Sequence, residues 1–171
     1  IRTLGAGGGV MVTGSHNPPD FNGFKICIGP DTIYGAEIQA LRQIIETGAF
    51  TAAAGKTTGA KIGAAYEDYL FGSVTIAPGL RIIVDGGNGV GGYFALPLLK
   101  RFGCIVEDIH CDPDGRFPHH FPDPTIPENL EELIRRVRET GADAGIAYDG
   151  DADRIGVITD CGDILWGDEL L

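Results

Sequence analysis

The sequence predicts an α/β protein of two α/β units, with mixed, mainly parallel sheets and flanking helices. Three observations support this class. Short apolar runs typical of strands alternate with segments of helical periodicity. Glycine, at 27 of 171 residues, clusters beside those runs, where tight backbone turns are needed. Residues 51–61 contain no large apolar side chain, which indicates a linker between a first unit, 1–61, and a second unit, 62–171.

The first unit contains two predicted strands and one predicted helix. Val10–Thr13 and Gly23–Ile28 are the strand-like runs, and the polar loop 14–20 joins them. Between Gly35 and Gly48 the apolar side chains recur at helical spacing, and a glycine at the end of such a segment is typical of a C-cap. The apolar positions of this helix are Ile38, Leu41, Ile44 and Ile45.

The second unit alternates strands and helices more regularly. A short helix is expected around 66–71, a second through 94–102, and a third that Pro127 opens and Gly141 ends. The predicted strands are Arg81–Asp85, Cys104–Ile109, Ala144–Tyr148, Ile155–Thr159 and Ile164–Trp166. Alternation of this kind implies right-handed crossovers and a mainly parallel sheet, with the last two strands forming a hairpin.

Charge and composition exclude several classes of protein. Thirteen basic and 24 acidic side chains give a net charge of -11, which argues against binding to a nucleic-acid backbone. Small anionic substrates stay possible, because a bound metal ion reverses the local field. No run approaches the roughly 18 apolar residues that span a bilayer, and the first residues do not resemble a signal peptide. Four widely spaced cysteines favour reduced thiols and a cytoplasmic location.

The ends of the chain lead us to expect a fragment. The sequence lacks an initiator Met, and its last residues, 168–171, are typical of the first turn of a helix.

Two motifs resemble known sites only superficially. Ala54–Thr57 matches the end of a phosphate-binding P-loop, but Phe50 stands where that motif needs a glycine. His119 and His120, with His110 and Cys111 nearby, fit no standard zinc spacing, so we expect a solvated loop there.

The turn at 87–92 matches G-x-G-x-x-G after a strand and before a helix, with Asp112 twenty residues further on. This context fits a dinucleotide site. Against it, Asp85 would place negative charge beside a pyrophosphate, and strand-to-helix turns commonly contain glycine. A dinucleotide-binding domain is therefore kept as an alternative.

The loop DGDADR places carboxylates at alternate positions, Asp149, Asp151 and Asp153, directly after a strand. Three such groups can converge only around a positive charge, and oxygen ligands suit Mg²⁺. An EF-hand needs glycine at its sixth position and Glu at its twelfth, where this sequence has Arg154 and Asp160. An acidic turn without a ligand is the simpler alternative.

The loop TGSHNP exposes a hydroxyl, that of Ser15, between a strand and glycine-bounded polar residues. A hydrolase nucleophile elbow needs glycines two residues either side of the serine, where Thr13 and Asn17 stand here. Beside a loop of three carboxylates, the pattern instead suggests a serine that carries phosphate with a metal bridging to it.

Several stretches together resemble the α-D-phosphohexomutase superfamily, most closely its bacterial phosphomannomutase/phosphoglucomutase branch. The matching stretches are GVMVTGSHNPPDFNGFKI, VDGGNGVGG, HHFPDPTIPENL and DGDADR. The resemblance covers nearly the whole chain and corresponds to the later part of a first domain and essentially all of a second. It also weakens the dinucleotide alternative, since the family carries this glycine turn without a nicotinamide.

The resemblance implies an isomerase that transfers a phosphoryl group between C1 and C6 of a hexose phosphate, in carbohydrate metabolism. Ser15 would be the phosphoserine, and Mg²⁺ would be held by a phosphoserine oxygen with Asp149, Asp151 and Asp153. Among the other catalytic residues expected, Lys25 matches the family's catalytic-site lysine, and His16 follows the serine as in the family pattern and would orient the site. Arg154 would steady the acidic loop or a phosphate. Hexose 1,6-bisphosphate would be the intermediate and activator, and the substrate a mannose or glucose phosphate.

The family's third and fourth domains have no counterpart in this sequence, so we expect the 171 residues alone to be inactive. A metal-dependent phosphate-binding module without turnover stays an alternative from a different class. The preferred hexose and the oligomeric state are left open.

Overall fold

The computed structural model describes residues 1–170 and groups the chain into two compact units. The first unit contains residues 1–13 and 23–62, and the second contains residues 14–22 together with the chain from Gly63 onward. The segment 14–22 thus leaves the first unit and packs with the second. This grouping reflects which residues lie close together and does not test domain boundaries along the sequence. The boundaries expected from the sequence therefore stay a prediction.

The first unit is a small antiparallel sheet with one helix. Its elements are β1 (Gly8–Val12), β2 (Phe24–Ile28), β3 (Asp31–Thr32) and α1 (Ala36–Thr47). β2 pairs with both neighbours in the order β1-β2-β3. The helix ends at Gly48, whose φ of 66° is left-handed and whose N–H donates to the carbonyls of Ile44 and Ile45. The expected parallel pairing is not found in this sheet, because no crossover helix separates the strands.

Residues 49–62 are exposed and form no regular structure. The Ala54–Thr57 motif lies in this segment, after a helix, whereas a P-loop joins a strand to a helix.

The second unit is a five-stranded sheet between helices, in the order β5-β4-β6-β7-β8. Its helices are α2 (Gly63–Ser73), α3 (Gly91–Arg101) and α4 (Glu131–Thr140), the last preceded by a 3-10 turn at Pro127–Leu130. Its strands are β4 (Arg81–Asp85), β5 (Ile105–Ile109), β6 (Ala144–Tyr148), β7 (Ile155–Thr159) and β8 (Ile164–Leu165). None of the helices within residues 1–170 has the length and hydropathy of a membrane-spanning segment.

The mixed α/β class is confirmed, and the last two strands form the predicted antiparallel hairpin. Parallel pairing is confined to β4, which lies between β5 and β6. β6 and β7 are antiparallel, because the loop that joins them is too short for the crossover that a parallel pair needs. The sheet is therefore less parallel than the sequence pattern suggested.

The core has two layers, one on each face of this sheet. Alternate residues of β4 point to opposite faces, so Ile83 packs towards α4 and Ile82 and Val84 pack towards α3. The layer under α4 consists of Ile83, Leu130, Leu133, Val137, Ala142, Ala147 and Ile158. This packing fixes β4 and β6 as parallel neighbours, so their carboxyl ends lie at the same edge and place Asp85 and Asp149 there.

The four cysteines are free thiols. Burial raises the pKa of Cys104, and burial with the nearby negative charge of Asp108 raises the pKa of Cys111 to about 12. These two buried thiols are therefore neutral packing groups.

Gly145 allows β6 to lie against α4, and replacing it with Ala should destabilise the second unit. A Cβ there would be 2.8 Å from Val137 Cγ2 and 3.0 Å from Leu133 Cδ1. We expect Gly145→Ala to lower the free energy of unfolding by about 1–3 kcal/mol. Urea unfolding followed by the fluorescence of Trp166, the one tryptophan in the sequence, measures it.

Gly115→Ala is the matched control, because a Cβ at Gly115 meets nothing within 4 Å. Equal unfolding midpoints for the two variants would contradict this account of the β6–α4 contact.

Candidate functional site

Ser15 lies in a tight turn and contacts the acidic loop after β6. The turn is closed by the Asn17 N–H, which donates to the Gly14 carbonyl at 2.9 Å, and Ser15 has a positive φ of 50°. Its Oγ donates to Asp149 Oδ2 at 3.2 Å, and Arg154 Nη2 donates to the same Oγ at 3.1 Å. The structure thus brings together two motifs that lie 134 positions apart in sequence.

The acidic loop is folded around the carboxylate of Asp149, which is fully buried. Its Oδ1 accepts the backbone N–H groups of Asp153 and Arg154, at 3.0 and 3.1 Å. Its Oδ2 faces the Arg154 guanidinium, at 3.2 Å, as well as Ser15. Oδ1 therefore holds the acidic loop, and Oδ2 faces Ser15 and the Arg154 guanidinium.

Three carboxylates converge on this loop. Asp149, Asp151 and Asp153 each offer an oxygen, and these atoms lie within 4.8 Å of one another; among residues 1–170, no other His, Cys, Asp or Glu group converges so closely. Burial raises the pKa of Asp149, the N–H of Arg154 opposes that effect, and the charges of Asp151 and Asp153 raise it further. A hard divalent cation would relieve this repulsion with the oxygen ligands it prefers.

Gly150 allows the acidic loop to lie directly against the serine turn. A Cβ on Gly150 would collide with the carbonyl oxygen of Ser15. On its other side, the Gly150 carbonyl accepts the Val90 N–H at 3.1 Å, and a Cβ on Gly89 would lie 2.7 Å from that oxygen. The backbones of the glycine turn, the acidic loop and the serine turn are therefore stacked in close contact.

The other glycines of this turn also pack against protein atoms. A Cβ on Gly87 would lie 3.0 Å from Pro122, one on Gly91 would lie 2.7 Å from Tyr148, and one on Gly92 would lie 2.6 Å from Cys111. In a dinucleotide site the glycine backbone faces the pyrophosphate. Here these glycines support the acidic loop and the residues after β5, so the structure does not favour the dinucleotide alternative.

His16 is held by Asp123, which the sequence analysis missed. The ring Nδ1 lies 2.7 Å from Asp123 Oδ2, and the other carboxylate oxygen accepts the Thr125 N–H at 3.0 Å and its hydroxyl at 2.6 Å. Burial tends to raise the pKa of Asp123, but hydrogen bonds from Thr125 and His16 outweigh it and lower the pKa. The available signal was a carboxylate between two prolines, Pro122 and Pro124, in a loop.

The solvated loop expected after β5 is found at His119, which is exposed, but the expectation was wrong for His110 and His120. The side chains of His110 and His120 are 10% and 17% exposed, and their Nε2 atoms each lie 3.0 Å from a carboxylate, of Glu132 and Asp85 respectively. His119 stacks on His110 with ring centroids 3.9 Å apart and bonds the Asn88 side chain. The cluster ties the segment after β5 to the carboxyl end of β4.

Lys25 lies in β2 of the first unit and is exposed. Its catalytic role stays a prediction, as do the roles of Ser15, His16, Arg154 and the three aspartates. In direct contact are Ser15, Asp149 and Arg154, with Asp151 and Asp153 beside them on the same loop.

Sequence profiles of two consecutive domains match most of the chain. Residues 1–52 match the phosphoglucomutase/phosphomannomutase α/β/α domain I, and residues 64–162 match α/β/α domain II of the same family.

Individual relatives agree with these profiles. A phosphomannomutase/phosphoglucomutase of Pseudomonas putida is 48% identical over 99% of this chain and 37% of its own length. A phosphoglucomutase of Neisseria gonorrhoeae is 48% identical over 96% of this chain and 36% of its own length. The crystal structure of a phosphoglucomutase/phosphomannomutase family protein of Burkholderia thailandensis superposes with a TM-score of 0.90, at 42% identity over 93% of this chain and 35% of that one. The chain thus spans little more than a third of the length of these relatives.

His120 should make stability depend on pH. Burial lowers the pKa of His120, but the hydrogen bond and charge of Asp85 outweigh it, so the pKa lies above its ordinary value of 6.5. The protonated ring therefore stabilises the fold fully below that value, and this stabilisation is lost as pH rises through the folded pKa. We expect the difference in unfolding free energy between wild type and His120→Gln to shrink from acidic to alkaline pH.

Asp85→Asn provides the control for this mechanism. With the carboxylate charge removed, burial should lower the pKa of His120 relative to wild type, which NMR titration of the His120 ring measures. An unchanged His120 titration in this variant would contradict the pairing.

Proposed function

The chain belongs to the phosphoglucomutase/phosphomannomutase family, and from that premise we propose that it carries the phosphoserine and metal sites of a phosphohexomutase. Residues 1–61 would be the later part of the first domain, and residues 62–171 the second. The reaction proposed is transfer of a phosphoryl group between C1 and C6 of a hexose phosphate. One observation carries the proposal: the Ser15 hydroxyl lies within hydrogen-bond distance of both Asp149 and Arg154.

Ser15 is suited to carry the phosphate. Its left-handed turn is a strained conformation for a residue other than glycine, and such conformations cluster at functional sites. Arg154 already donates to Ser15 Oγ, and a guanidinium binds phosphate oxygens with paired donors. A phosphate on that oxygen would stand beside the Asp149 carboxylate, so the site would then need more positive charge than Arg154 alone provides.

Mg²⁺ bound by the acidic loop would supply this additional positive charge. A phosphoserine would add a charge of about -1.5 to -2 at pH 7 beside three converging carboxylates. Carboxylate and phosphate oxygens are the ligands that Mg²⁺ prefers, and Asp149 Oδ2 faces the serine. Asp149, Asp151 and Asp153 would hold the ion with an oxygen of the phosphoserine. When bound, Mg²⁺ would neutralise charge on the transferring phosphoryl group.

The residues of this chain would position the transfer in two half-reactions. In the first, the bond between phosphorus and Ser15 Oγ breaks, a bond to the free sugar hydroxyl forms, and the proton of that hydroxyl ends on Ser15 Oγ. The product is a hexose 1,6-bisphosphate. After the sugar reverses its orientation, its other phosphate returns to Ser15 and leaves a hydroxyl on the sugar. Arg154 would orient the serine oxygen in both steps, and Lys25 and His16 would contact phosphate or sugar.

The substrate proposed is a mannose or glucose phosphate, and the location proposed is the cytoplasm. Relatives that carry the names phosphomannomutase and phosphoglucomutase are almost three times as long as this chain. Binding the sugar in two opposite orientations needs positioning groups on both of its ends. We therefore propose that sugar recognition requires the remaining domains, and that the 171 residues alone act at most as a metal-dependent phosphate-binding module.

Asp151→Asn should weaken Mg²⁺ binding without disrupting the fold, because it removes one ligand charge from a half-buried position. We expect at least a tenfold loss of affinity by calorimetry with MgCl₂. Asp160→Asn changes the net charge by the same amount at an exposed position outside the three converging carboxylates. This variant should bind Mg²⁺ with the affinity of wild type. Equal Mg²⁺ affinities for the two variants would remove the metal assignment.

Ser15→Ala in the whole protein should lower conversion of glucose 1-phosphate to glucose 6-phosphate by several orders of magnitude. The reason is that it removes the oxygen that carries the phosphate, and intact-mass measurement should show one phosphate fewer than wild type. Ser73→Ala, at the exposed end of α2, is the matched control with normal turnover. The 171-residue chain alone should show negligible conversion in the same coupled assay.

Near-normal activity of Ser15→Ala would refute the phosphoserine mechanism. Robust turnover by the 171 residues alone would refute the proposed need for further domains.

A further inference from the structure

We infer that Asp123 is a positioning residue for His16: its carboxylate keeps the ring hydrogen on Nδ1, so that Nε2 is the nitrogen presented to the hexose phosphate. This inference rests on the proposed mutase function for its substrate and on the geometry of the second unit for the pairing. His16 Nδ1 lies 2.7 Å from Asp123 Oδ2, and the His16 side chain stays 40% exposed. Asp123 therefore holds one nitrogen of the His16 ring, while part of the side chain stays accessible to solvent.

Asp123 is held far more firmly than a surface partner would be. Its Oδ1 accepts both the N–H and the hydroxyl of Thr125, and its backbone carbonyl accepts the Asn129 amide at 2.9 Å. The preceding Pro122 is fully buried and lies against Gly87 of the glycine turn. The Asp123 side chain is itself only 9% exposed, so its partners leave it little freedom to rotate.

The arrangement fixes which nitrogen of His16 carries the hydrogen. An ionised carboxylate can only accept hydrogen bonds, so the nitrogen that faces it must donate. The lowered pKa of Asp123 agrees with an ionised group. In the neutral ring the hydrogen is then on Nδ1, and the lone pair is on Nε2. A carboxylate that orients a histidine in this way is common where an imidazole binds a metal or transfers a proton.

The same contact also anchors the serine turn. His16 directly follows Ser15, whose backbone has a left-handed φ and whose carbonyl touches the acidic loop at Gly150. A ring bonded to Asp123 therefore restrains the turn from one side while Asp149 restrains the Ser15 hydroxyl from the other. Phosphoryl transfer depends on positioning, so a shift of either anchor should reduce the rate of the chemical step.

Asp123→Asn separates positioning of the tautomer from a simple ion pair. Both Thr125 donors point at Oδ1, so that site must keep an oxygen, and the new NH₂ group must face His16 Nδ1. Nδ1 then has to accept, and the ring hydrogen moves to Nε2. The ¹⁵N chemical shifts of the neutral His16 ring, recorded on histidine-labelled protein, should show the hydrogen on Nδ1 in wild type and on Nε2 in Asp123→Asn.

The kinetic arm uses the whole protein and a pair of milder variants. Asp123→Asn should lower kcat at least tenfold while KM for the hexose phosphate changes less than threefold. Thr125→Val removes one donor to Asp123 and should also lower kcat. Thr125→Ser keeps the hydroxyl and should have the kcat of wild type. This rescue keeps the test valid even where Asp123→Asn fails to fold.

Retention of the hydrogen on Nδ1 in Asp123→Asn, or unchanged kcat in both Asp123→Asn and Thr125→Val, overturns the inference. Failure of the proposed function is recognised separately, by normal turnover of Ser15→Ala. The ring shifts of His16 do not depend on catalysis, so they test the pairing in either case.

Discussion

The structure of the second unit depends on the buried carboxylate of Asp149. A charge removed from water at the end of β6 is costly unless its oxygens are bonded, and each of its two oxygens is bonded. The N–H groups of Asp153 and Arg154 bind one oxygen, while the guanidinium of Arg154 and the Ser15 hydroxyl bind the other. The shape of the acidic loop and the location of Ser15 both follow from satisfying this one group. This bond to Ser15, together with the bond of His16 to Asp123, joins the segment 14–22 to the rest of the second unit.

Close backbone packing makes that arrangement possible. The serine turn, the acidic loop and the glycine turn touch through Ser15, Gly150 and Gly89, and a side-chain carbon at either glycine would force them apart. The glycine pattern that matches a nucleotide-binding signature is explained by this contact at Gly89 and by the close approach of Gly87 to Pro122 and of Gly92 to Cys111. Glycine is needed wherever one backbone must approach another, and the sequence pattern alone does not distinguish a ligand from a neighbouring loop.

Two further buried acids extend the same principle around the site. Asp85 binds His120, and Asp123 binds His16, so the long segment between β5 and α4 is tied both to β4 and to the serine turn. Each pair is satisfied by additional donors, from Gly87 to Asp85 and from Thr125 to Asp123. Loops that carry function are normally mobile, and these hydrogen bonds to buried carboxylates hold the segment between β5 and α4 against the sheet.

The sequence by itself determined the local elements and the chemistry available. Each predicted strand is found within a few residues of its expected position, because apolar periodicity and glycine or proline boundaries are local properties. The serine turn and the three carboxylates were likewise visible as short motifs. The tertiary structure alone decided which of these groups meet. Three features depend on long-range packing. β7 runs antiparallel to β6, residues 14–22 pack with the second unit, and His16 pairs with Asp123 across 107 positions. No local pattern in one sequence records a contact between distant residues, since burial and partner choice are settled only when the sheet and its helices come together.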